Sequence, residues 1–393
     1  MTTVRTRVAI VGAGPAGLLL SHLLADAGIE SVVVDRRSRD EIESTIRAGI
    51  LEQETVRTLS ETGASDRVLT VGNRHDGIEL HFEGEGHRID FSSLTGRSVW
   101  LYPQHEALKD LIAARLAAGQ DLRFETEVTG IGDVETDRPW ITATAGDGSE
   151  LRIEAEFVVG ADGSRSGVRP AVTGSSSGGY FREYPFAWFG ILCEASPSSH
   201  ELIYSNSPHG FALISQRSAT VQRMYFQCDP EADPSVLSEA EIWDTLQARV
   251  PGTTLIEGPI FQRDVLRFRS FVAHELRHGR AVLVGDAAHT VPPTGAKGMN
   301  LAVADVVLLD RALRALLLEN DTRLIDTFAQ TALKRIWKAQ HFSWWMTSML
   351  HTAADASAFD RRRQVGELRS VVESEAGQTF LAEAYTGWPH TAQ

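Results

Sequence analysis

Cysteine is almost absent from this 393-residue sequence: Cys193 and Cys228 stand alone. Two thiols are too few for a disulfide framework, and their separation does not suit a metal-ligand pair, so a reducing cytoplasm is the expected setting and no metal site is predicted. Uninterrupted apolar runs of about 18 residues, the length a membrane span needs, are also missing. The N-terminus lacks the pattern of a signal peptide and leads directly into a strand-like apolar run, which predicts a soluble protein. Positive charge is in deficit, with 38 Lys and Arg against 52 Asp and Glu and a formal net charge of -14. That balance argues against nucleic acid or an anionic membrane as partner and points to small molecules. No internal repeat or low-complexity tract stands out.

The length exceeds what one hydrophobic core supports, roughly 250 to 300 residues, so at least two cores are expected. Residues 7 to 11 are mostly β-branched and end at glycine. Pro15 to Gly28 carries leucines at helical spacing, and a second apolar run covers Ser31 to Asp35, which together predict a βαβ unit. The period then changes to alternation at Ile78, Leu80 and Phe82, resuming at Ile89 and Phe91 after a Gly84–Gly86 turn, which reads as a hairpin. Similar patterns occupy residues 140 to 159 and 186 to 228. Ser238 and Glu241 have the spacing of a capping box ahead of Ile242, Leu246 and Val250, so a helix starts there. Residues 280 to 285 return to a buried strand, and two long helical patterns, about 299 to 318 and 322 to 350, close the chain. Matching character at the two ends predicts a mixed α/β protein: a discontinuous Rossmann-like domain over 1–74, 97–180 and 270–393 with C-terminal helices. An antiparallel β-sheet substrate domain over 75–96 and 181–269 interrupts it.

Gly12, Gly14 and Gly17 form G-x-G-x-x-G at the end of the first strand, where the chain must turn tightly and present backbone N–H groups to a pyrophosphate. Asp35 ends the second strand 18 residues after Gly17, placed to accept a hydrogen bond from a ribose hydroxyl. This predicts dinucleotide binding without separating FAD from NAD. Two further segments do separate them. Phe157 to Arg169 places Asp162 and Gly163 after a buried strand, and Val284-Gly285-Asp286-Ala287-Ala288-His289 places Asp286 after another. The three motifs in this order resemble those of the flavoprotein aromatic hydroxylases, in which the later aspartate holds the FAD ribityl region and the Asp-Gly segment serves flavin and nicotinamide.

Within that family the resemblance narrows to members acting on 4-hydroxybenzoate. It is carried by His289 to Asn300, Ile46-Arg47-Ala48-Gly49, Ser199 to Tyr204, Ser215 to Thr220 and Arg335 to Ala339, which span nearly the whole chain. The resemblance implies FAD, reduced NADH or NADPH as co-substrate, O2 activated as a flavin hydroperoxide, a small aromatic carboxylate as substrate and a homodimer. By the same carry-over, Arg217 anchors the carboxylate in bidentate fashion with help from Ser215 and Tyr225. Tyr204, Tyr385 and His75 match the relay that deprotonates the phenol, and Pro293 offers it a backbone carbonyl. Arg36, Arg47 and Gln104 go to the nucleotide and pyrophosphate, the backbone N–H groups of Met299 and Asn300 to the carbonyl edge of the flavin ring, and Lys297 contributes charge there.

Nicotinamide recognition is carried over to Arg36, Arg37, Glu41, Arg47, Arg165, Arg169 and Arg269. The segment Asp35 to Glu41 points both ways, because its arginines suit the 2′-phosphate of NADPH, whereas Asp40 and Glu41 repel it or occupy the arginines through local ion pairs. Glu41 stands where NADPH-selective relatives present tyrosine, and Arg165 and Thr45 depart from the commoner family residues. Hydroxylation of 4-aminobenzoate, 3-hydroxybenzoate or 3,4-dihydroxybenzoate stays open as an alternative, as does an FAD-binding redox sensor without turnover. Trp344 and Trp345 are expected in core or interface packing.

Overall fold

The structure is a computed structural model that describes residues 1–45, 49–175 and 177–390. A six-stranded sheet carries the strand order Arg277–His278, Ala281–Leu283, Phe157–Gly160, Val8–Val11, Ser31–Val34, Leu122–Arg123. Its central strands pair in parallel and are buried along their whole length, which explains why their sequences are continuous Val and Ile rather than alternating. Helix Pro15–Asp26 crosses from the strand Val8–Val11 to its neighbour Ser31–Val34, as the βαβ reading requires. Gly12, Asp35, Asp162 and Asp286 all follow the carboxyl ends of these strands, where open α/β sheets bind ligands.

The second large sheet has eight strands and is mostly antiparallel. The strands Gly179–Glu194 and Ile260–Ala273 form its backbone, joined by Val221–Cys228, Gly210–Gln216 and Leu202–Ser207, with the hairpin Gly77–Phe82 and Glu85–Asp90 at one edge. That hairpin docks in parallel through Gly77–Phe82 against Leu202–Ser207. One face of the sheet packs Phe189, Ile203, Ile214, Met224 and Phe226 under helix Glu239–Arg249. The opposite face packs Trp188, Tyr204, Leu213 and Tyr225 against the C-terminal helices. A third cluster fills the Rossmann-like part, so one chain supports several cores.

Three local features differ from expectation. Thr2–Arg5 does not continue into the Rossmann strand but pairs in parallel with Glu150–Glu154 in a separate four-stranded sheet. Asn73–His75 joins Ile50–Glu52 and Val99–Leu101 in a small three-stranded sheet. Beyond the two expected long helices, Gly298–Glu319 and Arg323–Leu350, the chain adds helices Ala358–Val372 and Glu375–Thr386. The first of these begins with a capping box between Ser357 and Asp360, a start signal present in the sequence.

Candidate active site

At the dinucleotide end, Gly12 sits at φ 110°, and a Cβ there would lie 2.3 Å from the Ala161 carbonyl oxygen. Only glycine tolerates both constraints. A Cβ on Gly17 would lie 2.0 Å from the Gly12 carbonyl oxygen, so this glycine is what lets helix Pro15–Asp26 approach the loop. Gly14 caps that helix without any side-chain hydrogen bond, leaving its N-terminal amides open toward an anion. Asp35 accepts the Ala13 N–H at 2.7 Å and receives Arg37 through its backbone N, Nε and Nη2 at 2.8 to 3.0 Å. Burial opposes its ionisation, but the hydrogen bonds and charge of Arg37 prevail and hold the carboxyl below its ordinary value. Arg37 is therefore committed to Asp35. Arg36 is exposed beside it.

Asp162 accepts the Gly167 and Val168 N–H groups on Oδ2 at 2.7 and 3.3 Å, while its buried Oδ1 has no partner among the described residues. Burial pushes this carboxyl above its ordinary value. A buried acceptor left open at the strand ends is what a ribose or flavin hydroxyl would satisfy. Asp286 lies in the single turn Gly285–Ala287. Arg169 braces the two motifs, donating to the carbonyls of Ser164, Asp286 and Ala287 at 2.9 to 3.3 Å with its guanidinium 4.4 Å from the centre of the Phe271 ring. Arg269 reaches Ser164 Oγ at 2.8 Å from the surface, and Arg165 is exposed. Asp305 was not anticipated: its Oδ2 accepts the Gly285 N–H at 3.0 Å and meets His289 Nε2 at 2.6 Å.

Helix Gly298–Glu319 starts without a side-chain cap, so the amides of Met299 and Asn300 in its first turn are free to meet an electron-rich edge. The Asn300 side chain is used otherwise, accepting the Glu52 N–H at 2.9 Å and donating to the carbonyls of Ile50 and Ala296. Lys297 is buried and pairs with Glu52 at 2.5 Å while donating to the Tyr385 carbonyl at 3.0 Å. Its charge is thus countered by a carboxylate that no sequence pattern announced. Gln104 opens helix Gln104–Ala117 behind Pro103. Arg47, with Ile46 and Ala48, lies outside the described residues. The glycine loop, the open helix ends and the orphaned Asp162 oxygen fit a flavin dinucleotide.

At the aromatic end, sheet register places Tyr204 opposite Leu213, Leu213 opposite Tyr225 and Tyr225 opposite Gly190. The two-residue period brings Ser215 to the same side as Leu213, and Arg217, just past the strand end, reaches back to Ser215. Ser215 Oγ donates to the Arg223 carbonyl at 2.6 Å and accepts from Arg217 Nη1 at 3.4 Å. Arg217 also donates to the Gln216 carbonyl at 3.0 Å, and its buried Nε has no partner among the described residues. Burial draws this guanidinium down from its ordinary value. The Tyr225 ring lies 4.7 Å from that of Trp188 at a tilt of 41°, and Trp188 Nε1 donates to His351 Nε2 at 2.6 Å. Arg223 lies 4.7 Å over the Tyr225 ring and pairs with Asp264 at 2.6 Å.

Tyr204 and Tyr385 are buried with hydroxyls 2.7 Å apart, and burial raises the pKa of both phenols. The Tyr204 hydroxyl also reaches the Thr294 carbonyl at 3.4 Å. Pro293 begins the adjoining turn, and its carbonyl accepts the Ala296 N–H at 3.0 Å. His75 is buried, with Nε2 3.0 Å from Gln216 Nε2 and Nδ1 without a partner among the described residues. Burial lowers its pKa to about 4. Among the described residues no direct hydrogen bond joins His75 to Tyr385. The structure thus brings together the tyrosine pair and, separately, the Ser215–Arg217 pair on one sheet face. His75 is held by Gln216.

Among the described residues no helix is long and apolar enough to cross a membrane, and no group of three or more His, Cys, Asp or Glu could hold a metal ion. The FAD binding domain family matches residues 5–343. The chain is 41% identical to the p-hydroxybenzoate hydroxylase of Acinetobacter baylyi, across 99% of this chain and 97% of that one. It is 28% identical to the 3-(3-hydroxy-phenyl)propionate/3-hydroxycinnamic acid hydroxylase of Mycobacterium avium, covering 82% of this chain and 57% of that longer one. Among solved structures, p-nitrophenol 4-monooxygenase from Pseudomonas putida superposes with a TM-score of 0.81 at 21% identity, covering 98% of this chain and 99% of that one. This chain belongs to the FAD-binding family of flavoprotein aromatic hydroxylases.

Proposed function

We propose that this enzyme hydroxylates 4-hydroxybenzoate at the carbon beside its phenol, giving 3,4-dihydroxybenzoate, with NADH or NADPH and O2 as co-substrates. The observation that carries the reading is the 2.7 Å Tyr204–Tyr385 hydroxyl pair on the sheet face that also presents Ser215 and Arg217. A para-hydroxy carboxylate has an acidic proton at one end and a fixed negative charge at the other, and this face offers a partner for each. Bound FAD supplies electron transfer from the nicotinamide and activation of oxygen.

Arg217 holds the carboxylate, with its partnerless Nε as one donor and Ser215 and Tyr225 as further hydroxyls. Tyr204 accepts the phenolic proton as it passes its own to Tyr385, and the Pro293–Thr294 carbonyls orient that end. His75 receives the proton last. Supporting the cofactor reading, Gly12, Gly14, Gly17, Asp35, Arg36, Arg47, Gln104, Asp162 and Asp286 hold the dinucleotide, and the amides of Met299 and Asn300 meet the ring edge. Lys297, countered by Glu52, limits the net charge there. Arg37, Glu41, Arg165, Arg169 and Arg269 frame the nicotinamide approach. Exposed Tyr180, Phe181, Trp337 and Trp344 support a homodimer, and two unpaired thiols support a cytoplasmic setting.

A panel of benzoates tests the substrate. 4-Hydroxybenzoate should give the oxygenated product with the highest kcat/KM by mass spectrometry, and preference for 4-aminobenzoate or 3-hydroxybenzoate would overturn the choice.

A further inference from the structure

His75 stands in strand Asn73–His75, yet its ring is held from the end of another strand by Gln216, 141 residues away. In the resting arrangement the Gln216 amide is oriented by the His200 carbonyl. Its Nε2 lies 3.5 Å from the His200 carbonyl oxygen, which can only accept, so the NH2 side of the amide faces that oxygen. The same NH2 group lies 3.0 Å from His75 Nε2. A nitrogen that accepts from an amide carries no proton, so the neutral ring carries its proton on Nδ1, the buried nitrogen with no partner among the described residues.

The charged groups facing His75 are themselves paired or exposed. Glu201 is held by Arg88 at 2.7 and 2.9 Å, Asp76 by Arg74 at 2.9 Å, and His200 stacks over His75 at 6.2 Å from the solvent side. None of them bonds the ring. Gln216 is therefore the group that decides which ring nitrogen can take a proton.

We propose that Gln216 is a positioning residue that fixes the proton of His75 on Nδ1, so that His75 takes up a proton at that nitrogen only when the amide turns over. With the carbonyl side of the amide toward the ring, the proton resides on Nε2 and the Nδ1 lone pair is free. A proton leaving the phenol through Tyr204 and Tyr385 then enters at Nδ1, and the Nε2–H of the resulting cation donates to the turned Gln216 carbonyl, so the proton the phenol loses is the one the ring gains. The functional part of this inference rests on the relay reading above.

The test uses FAD-loaded protein with 15N-labelled histidine, the His75 signal being identified by its loss in His75→Asn. The parent should show the proton on Nδ1. Gln216→Glu presents only acceptors, so the proton should move to Nε2, and the ionisation curve of bound 4-hydroxybenzoate, followed by phenolate absorbance, should shift to lower pH by about one unit. Gln216→Leu should populate both tautomers. A parent ring protonated on Nε2, or a Gln216→Glu ring unchanged in tautomer, overturns the proposal. If the tautomer moves but neither Gln216→Glu nor His75→Asn alters the ionisation curve, the relay reading fails while the tautomer assignment stands. If His75→Asn alters the curve and Gln216→Glu does not, control by Gln216 is refuted.

Discussion

The hydroxyl of Tyr204 lies 2.7 Å from that of Tyr385, although 181 residues separate them in the chain. One comes from the middle of the large sheet and the other from the last helix, so the pair forms only when the C-terminal helices have docked on the sheet. Burial disfavours the charged form of either phenol. A proton entering the pair must therefore move through it as a concerted exchange of hydroxyl hydrogens.

Tyr204→Phe removes one half of this pair and leaves the Tyr385 hydroxyl without its partner, which should cost about 1 kcal/mol of stability. Substrate should still bind and stimulate nicotinamide oxidation. Product per nicotinamide should fall while hydrogen peroxide rises. An unchanged product ratio removes Tyr204 from the relay.

Arg217→Ala should weaken 4-hydroxybenzoate binding by about 1.5 to 3 kcal/mol, roughly 10- to 150-fold in Kd, because a charged donor to the carboxylate is lost. Flavin content should not change, since the dinucleotide residues follow the strands of the other sheet. Undiminished binding in a titration would place the carboxylate elsewhere.

The segment Asp35–Glu41, proposed to meet the nicotinamide cofactor, is already internally paired. Arg37 is engaged by Asp35, Arg39 by Glu43 at 2.6 Å, and Glu41 closes a capping box with Ser38. Apart from the buried Asp35, exposed charges of this kind each contribute about 0 to 1 kcal/mol, so both NADH and NADPH should support turnover with modest discrimination. Glu41→Tyr should shift kcat/KM toward NADPH, and Glu41→Gln, which keeps the capping geometry, isolates the charge from the loss of the cap. A parent preference for NADPH above about a hundredfold contradicts this.

Burial lowers the pKa of His75 to about 4 and those of His351 and His390 to about 3, against an ordinary 6.5. As pH falls below 6.5 the unfolded chain takes up protons that the native chain refuses, so the native state is favoured fully above that pH and loses stability toward the native values. Each group costs about 1 to 2 kcal/mol between pH 6.5 and 5. Burial also opposes protonation of His289, but Asp305 prevails and raises its pKa, so this residue acts in the opposite sense. The Tm of the parent should fall between about pH 7 and 5. His75→Asn should lose less over the same interval, and an equal loss removes His75 from the acid-sensitive set.

The βαβ unit was legible because its signal is local: a glycine loop between an apolar strand and a leucine-spaced helix, with Asp35 after the next strand. The capping box at Ser38 and Glu41 is equally local but was not read from the sequence, where Glu41 counted only as a surface charge; it belongs to the start of helix Arg39–Ser44. Glu52 and Gln216 were not legible, because their partners Lys297 and His75 lie 245 and 141 residues away and no period links them. Helix Ala358–Val372 carries four arginines, Asp360 and Glu367 round most of its surface, which hid its apolar face from a periodicity reading. The strand Thr2–Arg5 was not read from the sequence, because only its partner Glu150–Glu154, far along the chain, marks it as one.

The most direct measurement is turnover of 4-hydroxybenzoate under 18O2 with FAD-loaded protein and NADH or NADPH, followed by mass spectrometry. The expected product is 3,4-dihydroxybenzoate containing one 18O atom on the new hydroxyl. No oxygenated product, or a new hydroxyl whose oxygen comes from water, would contradict the proposed reaction.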